Sequence, residues 1–403
     1  MGRATQSENR LEIDRVTTDD LMALVGAGTT HPMQAGPVLF LDAADDFDLP
    51  EAVETFGARV AQVPRLHQLL VDLPLGCGRP IWVEDTDFVL GDQMATIVCS
   101  TPANDEAVLA IAARVVNTPL PRSRPLWSAT LVTAASSGAK VRAVALVVVF
   151  HHVMADGIGG LVGRFGRAST VSRLFDRPRA SDPRTARSTY PLETVSLGLV
   201  DLRTSSHAEG ATVNDDVLAA IAGSLRRLME RHGESLNDVV NSVPFSTRQA
   251  TVGSELGNHS GVTLLVIPIG GDRTDRLAAV GAITRAAKRA PRAASTAVLG
   301  PLFRGLDRVG AYHWFVDRRR MINTIVSSVH GPEKAISMLG CTVTRIVPLG
   351  MPTDNLPVTF VALTYSSVLT VTIISDPDAC PDVRMLRAIL IDELRAFASL
   401  RQT

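Results

Sequence analysis

Two adjacent histidines, His151 and His152, are followed by Asp156 and Gly157. A neutral imidazole has an ordinary pKa of about 6.5, so either histidine could take and return a proton near neutral pH. Successive side chains of a strand point to opposite faces, so only one of the two is expected to face a substrate. Asp156 could orient an imidazole, cap a helix or pair with an arginine. This spacing predicts a general base and leaves open which histidine serves.

A metal site is the alternative reading of His151, His152 and Asp156. Adjacent histidines on a strand make a poor chelate, and the chain lacks an H-E-x-x-H sequence or paired cysteines at metal-ligand spacing. Its four cysteines are scattered, which favours free thiols in a reducing compartment. We therefore expect neither a metal nor another cofactor.

The histidines must be positioned by the strand that precedes them and by the glycine-rich segment that follows them. The apolar run 143–150 predicts a buried strand, and the glycines after it leave room for a ligand to approach. Patterning elsewhere in the first half predicts a strand at 37–42, a helix at 49–63, a helical turn from Pro64 to Leu70, and a strand at 128–133.

The second half carries its clearest pattern at 212–232. Thr212 and Asp215 form a capping-box-like start of a helix, and Gly233 marks its end. The segment 172–191 is rich in arginine and proline without a period, which is typical of a linker. Further patterns predict strands at 262–268, 358–364 and 368–374 and a helix at 382–400. We divide the chain into lobes at 1–180 and 211–403, with a crossover linker at 181–210.

Composition excludes several classes of protein. A length of 403 residues suffices for two lobes with substantial cores. A net charge of −1 and 4% aromatic residues argue against a nucleic-acid partner. No apolar run approaches the roughly 18 residues of a membrane span, and the polar start of the chain is unlike a signal peptide. We expect a cytoplasmic protein.

The sequence H-H-x-x-x-D-G after an apolar strand resembles the active-site motif of the CoA-dependent acyltransferase superfamily, which includes chloramphenicol acetyltransferase and condensation domains of peptide synthetases. Four further motifs are similar to those of the bacterial wax ester synthase/diacylglycerol acyltransferase family. They are the P-L-W at 125–127, the N-D at 214–215, the V-P-F-S-T-R at 243–248 and the L-G-N at 256–258. The segment V-S-S-V-H-G-P at 326–332 departs from the family pattern at Ser328 and His330.

This resemblance implies an α/β protein of two lobes, each a mixed sheet with helices, with an active-site tunnel between them. In the family the second histidine is the base, which would be His152, with His151 beside it. Asp156 would then be structural, paired with Arg248, and Gly157 would shape the turn. The other motif residues are expected along the substrate channel, namely Trp127, Asn214, Asp215 and Asn258.

The implied reaction moves a fatty acyl group from acyl-CoA to diacylglycerol or a long-chain alcohol, giving triacylglycerol or a wax ester. Its insoluble acceptors predict a protein peripheral to a membrane or to lipid bodies. The basic stretch 285–320 is the candidate contact, although an ordinary solvated helix face explains it too. Two alternatives stay open: a natural-product or glycolipid acyltransferase of this fold, and a non-catalytic lipid-surface protein.

Overall fold

The protein is built around two sheets, each partly covered by helices. The computed structural model describes residues 14–17, 24, 32–43, 47–74, 77–99, 104–135, 141–154, 190–208, 210–246, 260–289, 322–350 and 356–399. The elements before residue 155 are β1 (Gln34–Asp42), α1 (Leu49–Val60), β2 (Gln68–Val71), β3 (Ile81–Glu84), α2 (Leu90–Gln93), β4 (Met94–Cys99), α3 (Asp105–Asn117), β5 (Trp127–Ala135) and β6 (Val141–His151). Those after residue 189 are β7 (Leu192–Gly198), α4 (Leu199–Ala208), α5 (Val213–Arg231), β8 (Asp238–Ser246), β9 (Ser260–Pro268), α6 (Arg273–Arg289), β10 (Thr324–His330), β11 (Ser337–Met338), β12 (Cys341–Leu349), β13 (Val358–Tyr365), β14 (Val368–Ser375) and α7 (Val383–Ala398).

The first sheet has six strands in the order β11-β12-β1-β6-β5-β4. β6 lies in its middle, antiparallel to β1 on one side and to β5 on the other. Alternate residues of β6 enter two cores, one of which includes Ala145 and Val147 with residues of α3, and the other Leu146 and Val148. Both faces of β6 are thus covered, which explains why residues 143–150 are apolar without alternation.

The structure departs from the predicted division of the chain at β12. This strand lies within the range 211–403 assigned to the second lobe, yet it pairs antiparallel with β1 from Gly36↔Leu349 to Asp42↔Thr342. The hairpin of β11 and β12 therefore completes the sheet that carries the histidines. Strand pairing across such a separation depends on the tertiary fold, so local sequence patterns did not reveal it.

The second sheet also has six strands, in the order β7-β14-β13-β10-β8-β9. Residues of β7, β8, β9, β10, β13 and β14 form a large apolar core with the helices α4, α5, α6 and α7. β7 and α4 fall inside the predicted linker 181–210, so the described part of that range, from residue 190 onward, belongs to the second lobe instead. The prediction of a linker was wrong there. The apolar residues of α4 show only a weak helical period, so the sequence did not indicate a helix.

Local signals placed two of the long helices, α5 and α7, whereas α3 and α6 were not predicted. α5 begins after Thr212 with a capping box, in which Thr212 and Asp215 exchange side-chain to main-chain hydrogen bonds, and Gly233 follows its end with φ +71°. The predicted helix at 382–400 is α7, and the strands predicted at 358–364 and 368–374 are β13 and β14. One local prediction was wrong: after Pro64 a single 3-10 turn ends at His67, and Gln68–Val71 is a strand paired with β3.

Within the described ranges, the helices are all too short or too polar to cross a membrane.

Candidate functional site

The main chain of the two histidines is held from both sides of β6. His151 donates its N–H to the carbonyl oxygen of Leu126 at 2.9 Å, whereas His152 donates its N–H to the carbonyl oxygen of Met33 at 2.8 Å. Leu126 precedes β5 and Met33 precedes β1, so the histidines stand where three strands of the first sheet meet. A catalytic side chain placed at the end of a rigid central strand is held precisely enough for proton transfer.

The imidazole of His151 stabilises the turn that follows β6. Its Nδ1 accepts a hydrogen bond from the main-chain N–H of Val153 at 3.2 Å, and the carbonyl oxygen of His151 accepts from the N–H of Met154 at 2.9 Å. An Nδ1 that accepts must carry no proton, so this contact requires a neutral His151. The side chain of His151 therefore shapes the turn beside His152.

Burial removes the charge from both imidazoles. It lowers the pKa of His151 to about 3, with smaller contributions in the same direction from His152 and Arg122. Burial also lowers the pKa of His152 to about 4, opposed by a hydrogen bond from the imidazole to its own main-chain carbonyl. A neutral imidazole keeps one unprotonated ring nitrogen, which can accept a proton. His152 is thus in the protonation state of a base at neutral pH.

Trp127 is packed into the core beside this site. Its side chain is 1% exposed, its Nε1 donates to the carbonyl oxygen of Leu66 at 2.8 Å, and Phe56 meets its ring edge-on at 6.3 Å between centroids. These contacts hold the start of β5 against α1 and the turn that contains Leu66. Its predicted position along a substrate channel stays a prediction.

Asp215, also predicted along the channel, makes structural contacts. Its Oδ2 accepts from the N–H and the hydroxyl of Thr212, and its Oδ1 accepts from the hydroxyl of Thr284 at 2.7 Å. Asp215 thereby starts α5 and ties it to α6. Asn214, the preceding residue, is only half-buried, and its predicted contact with substrate stays a prediction.

Asp216, which directly follows the N-D motif, is a buried acid. Its carboxyl accepts a short hydrogen bond from the hydroxyl of Ser206. Burial raises its pKa to about 7, with a smaller contribution from Asp215 in the same direction and an opposing one from Ser206. An ionised carboxylate is costly to bury, so burial favours the protonated form of Asp216.

Several predicted residues lie outside the described ranges. They are Asp156, Gly157, Arg248 and Asn258, so the proposed pair of Asp156 with Arg248 stays a prediction. Most of the basic stretch 285–320 also lies outside. Among the residues that are described, no group of three or more histidine, cysteine or acidic side chains is arranged to hold a metal ion.

Sequence reasoning missed two residues of β1 that lie against the end of β6. Gln34 is buried and is the strand partner of His151. Gly36 lies so close to β6 that a Cβ atom there would collide with the carbonyl oxygen of Val148. A polar residue at the start of an otherwise apolar strand, with a glycine two positions later, was the available signal.

Solved structures share this architecture. A wax ester synthase/diacylglycerol acyltransferase from Marinobacter aquaeolei matches with a TM-score of 0.65 and 19% identity, covering 96% of this chain and 99% of that one. The first condensation domain of the CDA synthetase matches with a TM-score of 0.65 and 18% identity, covering 98% of each chain. At such low identity the likeness establishes the fold alone.

Family models and sequence relatives give a narrower match. The model described as the wax ester synthase/diacylglycerol acyltransferase catalytic domain matches residues 16–162, and that of the corresponding C-terminal domain matches residues 256–397. A putative diacylglycerol O-acyltransferase of Mycobacterium tuberculosis is 28% identical over 283 residues. That alignment covers 54% of this chain and 59% of the relative's length.

A histidine pair at the end of the central strand, in a protein of two sheets covered by helices, defines the class of the CoA-dependent acyltransferase fold. Both family models then agree on a single group within that class. The chain belongs to the wax ester synthase/diacylglycerol acyltransferase family. The predicted family and the predicted two-lobed α/β fold are confirmed.

Proposed function

We propose that the protein is an O-acyltransferase that moves a fatty acyl group from acyl-CoA to a hydroxyl of diacylglycerol or a long-chain alcohol. The observation that carries this proposal is His152, buried and neutral at the end of β6, within the part of the chain that matches the family's catalytic domain. The name of the Mycobacterium tuberculosis relative supports diacylglycerol as an acceptor.

In the proposed reaction the unprotonated ring nitrogen of His152 takes the proton of the acceptor hydroxyl while that oxygen attacks the thioester carbonyl of acyl-CoA. The new C–O bond forms, the C–S bond breaks, and the proton passes from the imidazole to the departing CoA thiolate. No acyl-enzyme is required, because both substrates meet at one site and gain rate from proximity. The neutral imidazole supplies the proton transfer, so we expect no metal or other cofactor to be required.

Acyl transfer by the purified protein tests this proposal. Radiolabelled palmitoyl-CoA would be offered with diacylglycerol, a long-chain alcohol, a sterol or an amine, and both the lipid product and the free CoA thiol would be measured. We expect ester formation with diacylglycerol or the alcohol, unchanged by a chelator and lost in His152→Ala. Transfer only to another acceptor would favour the natural-product or glycolipid alternative. Binding to liposomes without CoA and without any acyl transfer would favour the alternative of a non-catalytic lipid-surface protein.

We also propose that the protein works in the cytoplasm, peripheral to a membrane or lipid-body surface. Diacylglycerol and wax esters are insoluble in water, so the site has to meet a lipid surface. Sedimentation with anionic liposomes tests this: binding through the basic stretch 285–320 should weaken as salt is raised. Binding that is insensitive to salt would assign the contact to an apolar surface instead.

A further inference from the structure

Gln34 uses its whole carboxamide to fasten the start of β1 to the end of α3. The side chain is 1% exposed, and its Nε2 donates to the carbonyl oxygens of Val116 and Thr118, both at 2.9 Å. Its Oε1 accepts from the main-chain N–H of Leu120 at 2.8 Å. Both amide hydrogens and the oxygen are therefore engaged with main-chain atoms of one continuous segment.

The same residue lies beside His151. Gln34 and His151 are direct partners in the antiparallel pairing of β1 with β6, and such partners share a face with Cβ atoms about 4.5–5.5 Å apart. That face is the one covered by α3, since Val38 of β1 and Val149 of β6 belong to the core that α3 completes. Gln34 thus connects the helix side of the sheet to the position of the first histidine.

Gln34 also joins the two chain segments that hold the histidine main chain. Its neighbour Met33 accepts the N–H of His152, and the segment that it grips through Leu120 continues to Leu126, which accepts the N–H of His151. A change in the distance between these two segments would turn the peptide groups of both histidines. The imidazole of His151 would transmit that movement to the turn through Val153.

We propose that Gln34 is a positioning residue for acyl transfer: its carboxamide fixes the spacing of the two segments that hold the histidines and thereby the direction of the His152 imidazole. This inference rests on the proposed function, because it takes His152 as the base. Gln34 acts through other residues and takes no part in the proton transfer. A displacement of about 1 Å at a reacting group reduces the rate on the order of 10²-fold.

Gln34→Met tests the proposal, because it keeps the length of the side chain and removes all three hydrogen bonds. We expect kcat to fall about 10- to 100-fold while the KM for acyl-CoA stays unchanged. A histidine-selective ¹⁵N NMR titration of the whole protein gives a readout that does not depend on turnover. We expect the pKa of His152 to rise from about 4 toward its ordinary value as the imidazole leaves its buried position.

Gln34→Glu is the second variant, and it serves even where Gln34→Met fails to fold. It keeps the acceptor for Leu120 and loses both donors, but a protonated carboxyl regains one of them. Burial favours the protonated form, so kcat of this variant should rise as the pH falls from 8 to 6, a rise that the wild type does not show. The titratable group beside position 34 is its strand partner His151, on which His152 and Arg122 act in turn.

Asn323→Ala is the matched control in the second sheet. Asn323 is also buried, and its Oδ1 accepts from the N–H of Val240 at 2.7 Å, so this variant tests whether losing a buried amide elsewhere has the same effect. We expect this variant to leave kcat and the pKa of His152 unchanged. Wild-type values in Gln34→Met, or equal shifts in Asn323→Ala, would overturn the positioning role. A wild-type protein that transfers no acyl group would refute the proposed function, yet the imidazole titration would still test Gln34.

Discussion

Two pairs of adjacent ionisable residues are buried, one in each lobe, and their surroundings give them different properties. His151 and His152 at the end of β6 both lose their charge through burial. In α5, Asp215 is satisfied by Thr212 and Thr284, whereas burial raises the pKa of its neighbour Asp216 to about 7. Residue type alone therefore does not identify a reactive pair. Position at the end of a central strand distinguishes the histidines from the aspartates at a helix start.

The largest contrast should appear in turnover. His152→Ala removes the base, and we expect kcat to fall about 10²- to 10⁴-fold. His151→Ala should retain more activity, because His151 acts on the turn through Val153. Asp216→Asn should leave kcat close to that of the wild type. Initial rates, corrected for the folded fraction measured by circular dichroism, test this order. Full activity in His152→Ala would refute the assignment of His152 as the base.

The histidine pair should also make the fold sensitive to acid. The folded-state pKa values of about 3 and about 4 lie below the ordinary 6.5, so the unfolded chain binds protons first as the pH falls. Stability present above pH 6.5 is therefore lost as the pH falls toward 4, by at most about 1.4 kcal/mol per pH unit for each histidine. Urea denaturation of wild type and His151→Gln between pH 7 and 4.5 measures this. Equal slopes would show that His151 is not buried neutral.

Asp216 should have the opposite pH dependence. Its folded pKa of about 7 lies above the ordinary 3.8, so the folded protein keeps a proton that the unfolded chain has released. Its stability contribution is present below pH 3.8 and is lost as the pH rises through 7. Asp216→Asn should therefore gain about 1–3 kcal/mol over the wild type between pH 5 and pH 9. A stability difference independent of pH would show that Asp216 stays ionised in the folded protein.

The smallest effect is expected at Asp215. Asp215→Ala removes the capping box of α5 and the bond to Thr284, which should lower the free energy of unfolding by about 0.5–2 kcal/mol. Thermal denaturation measures the loss, and kcat per folded molecule should not change. A raised KM for the acyl acceptor in a variant of unchanged stability would instead establish Asp215 as a substrate-channel residue.

Features with local causes could be predicted from the sequence. The capping box at Thr212 and Asp215 and the glycine after α5 mark its ends, and the apolar run before His151 identifies a strand buried on both faces. The motif H-H-x-x-x-D-G, with its partners along the chain, was sufficient for the family, which both family models confirm.

Features that depend on distant contacts could not be predicted. The pairing of β12 with β1 joins residues about 300 positions apart, and α4 was read as part of a linker because its apolar residues show only a weak helical period. Gln34 was missed for the same reason, since its partners Val116, Thr118 and Leu120 lie 82 to 86 residues away. Nothing in the local sequence around Gln34 reveals that its side chain contacts this distant segment.

The place of β12 bears on how the protein is made. β1 and β6 leave the ribosome early, but the edge of β1 opposite β6 is covered only once residues 342–349 have been synthesised. Until then the nascent sheet exposes an unpaired strand edge, the feature that promotes association between chains. A fragment ending before β12 should therefore aggregate rather than fold, and slow synthesis across residues 155–341 should increase dependence on chaperones.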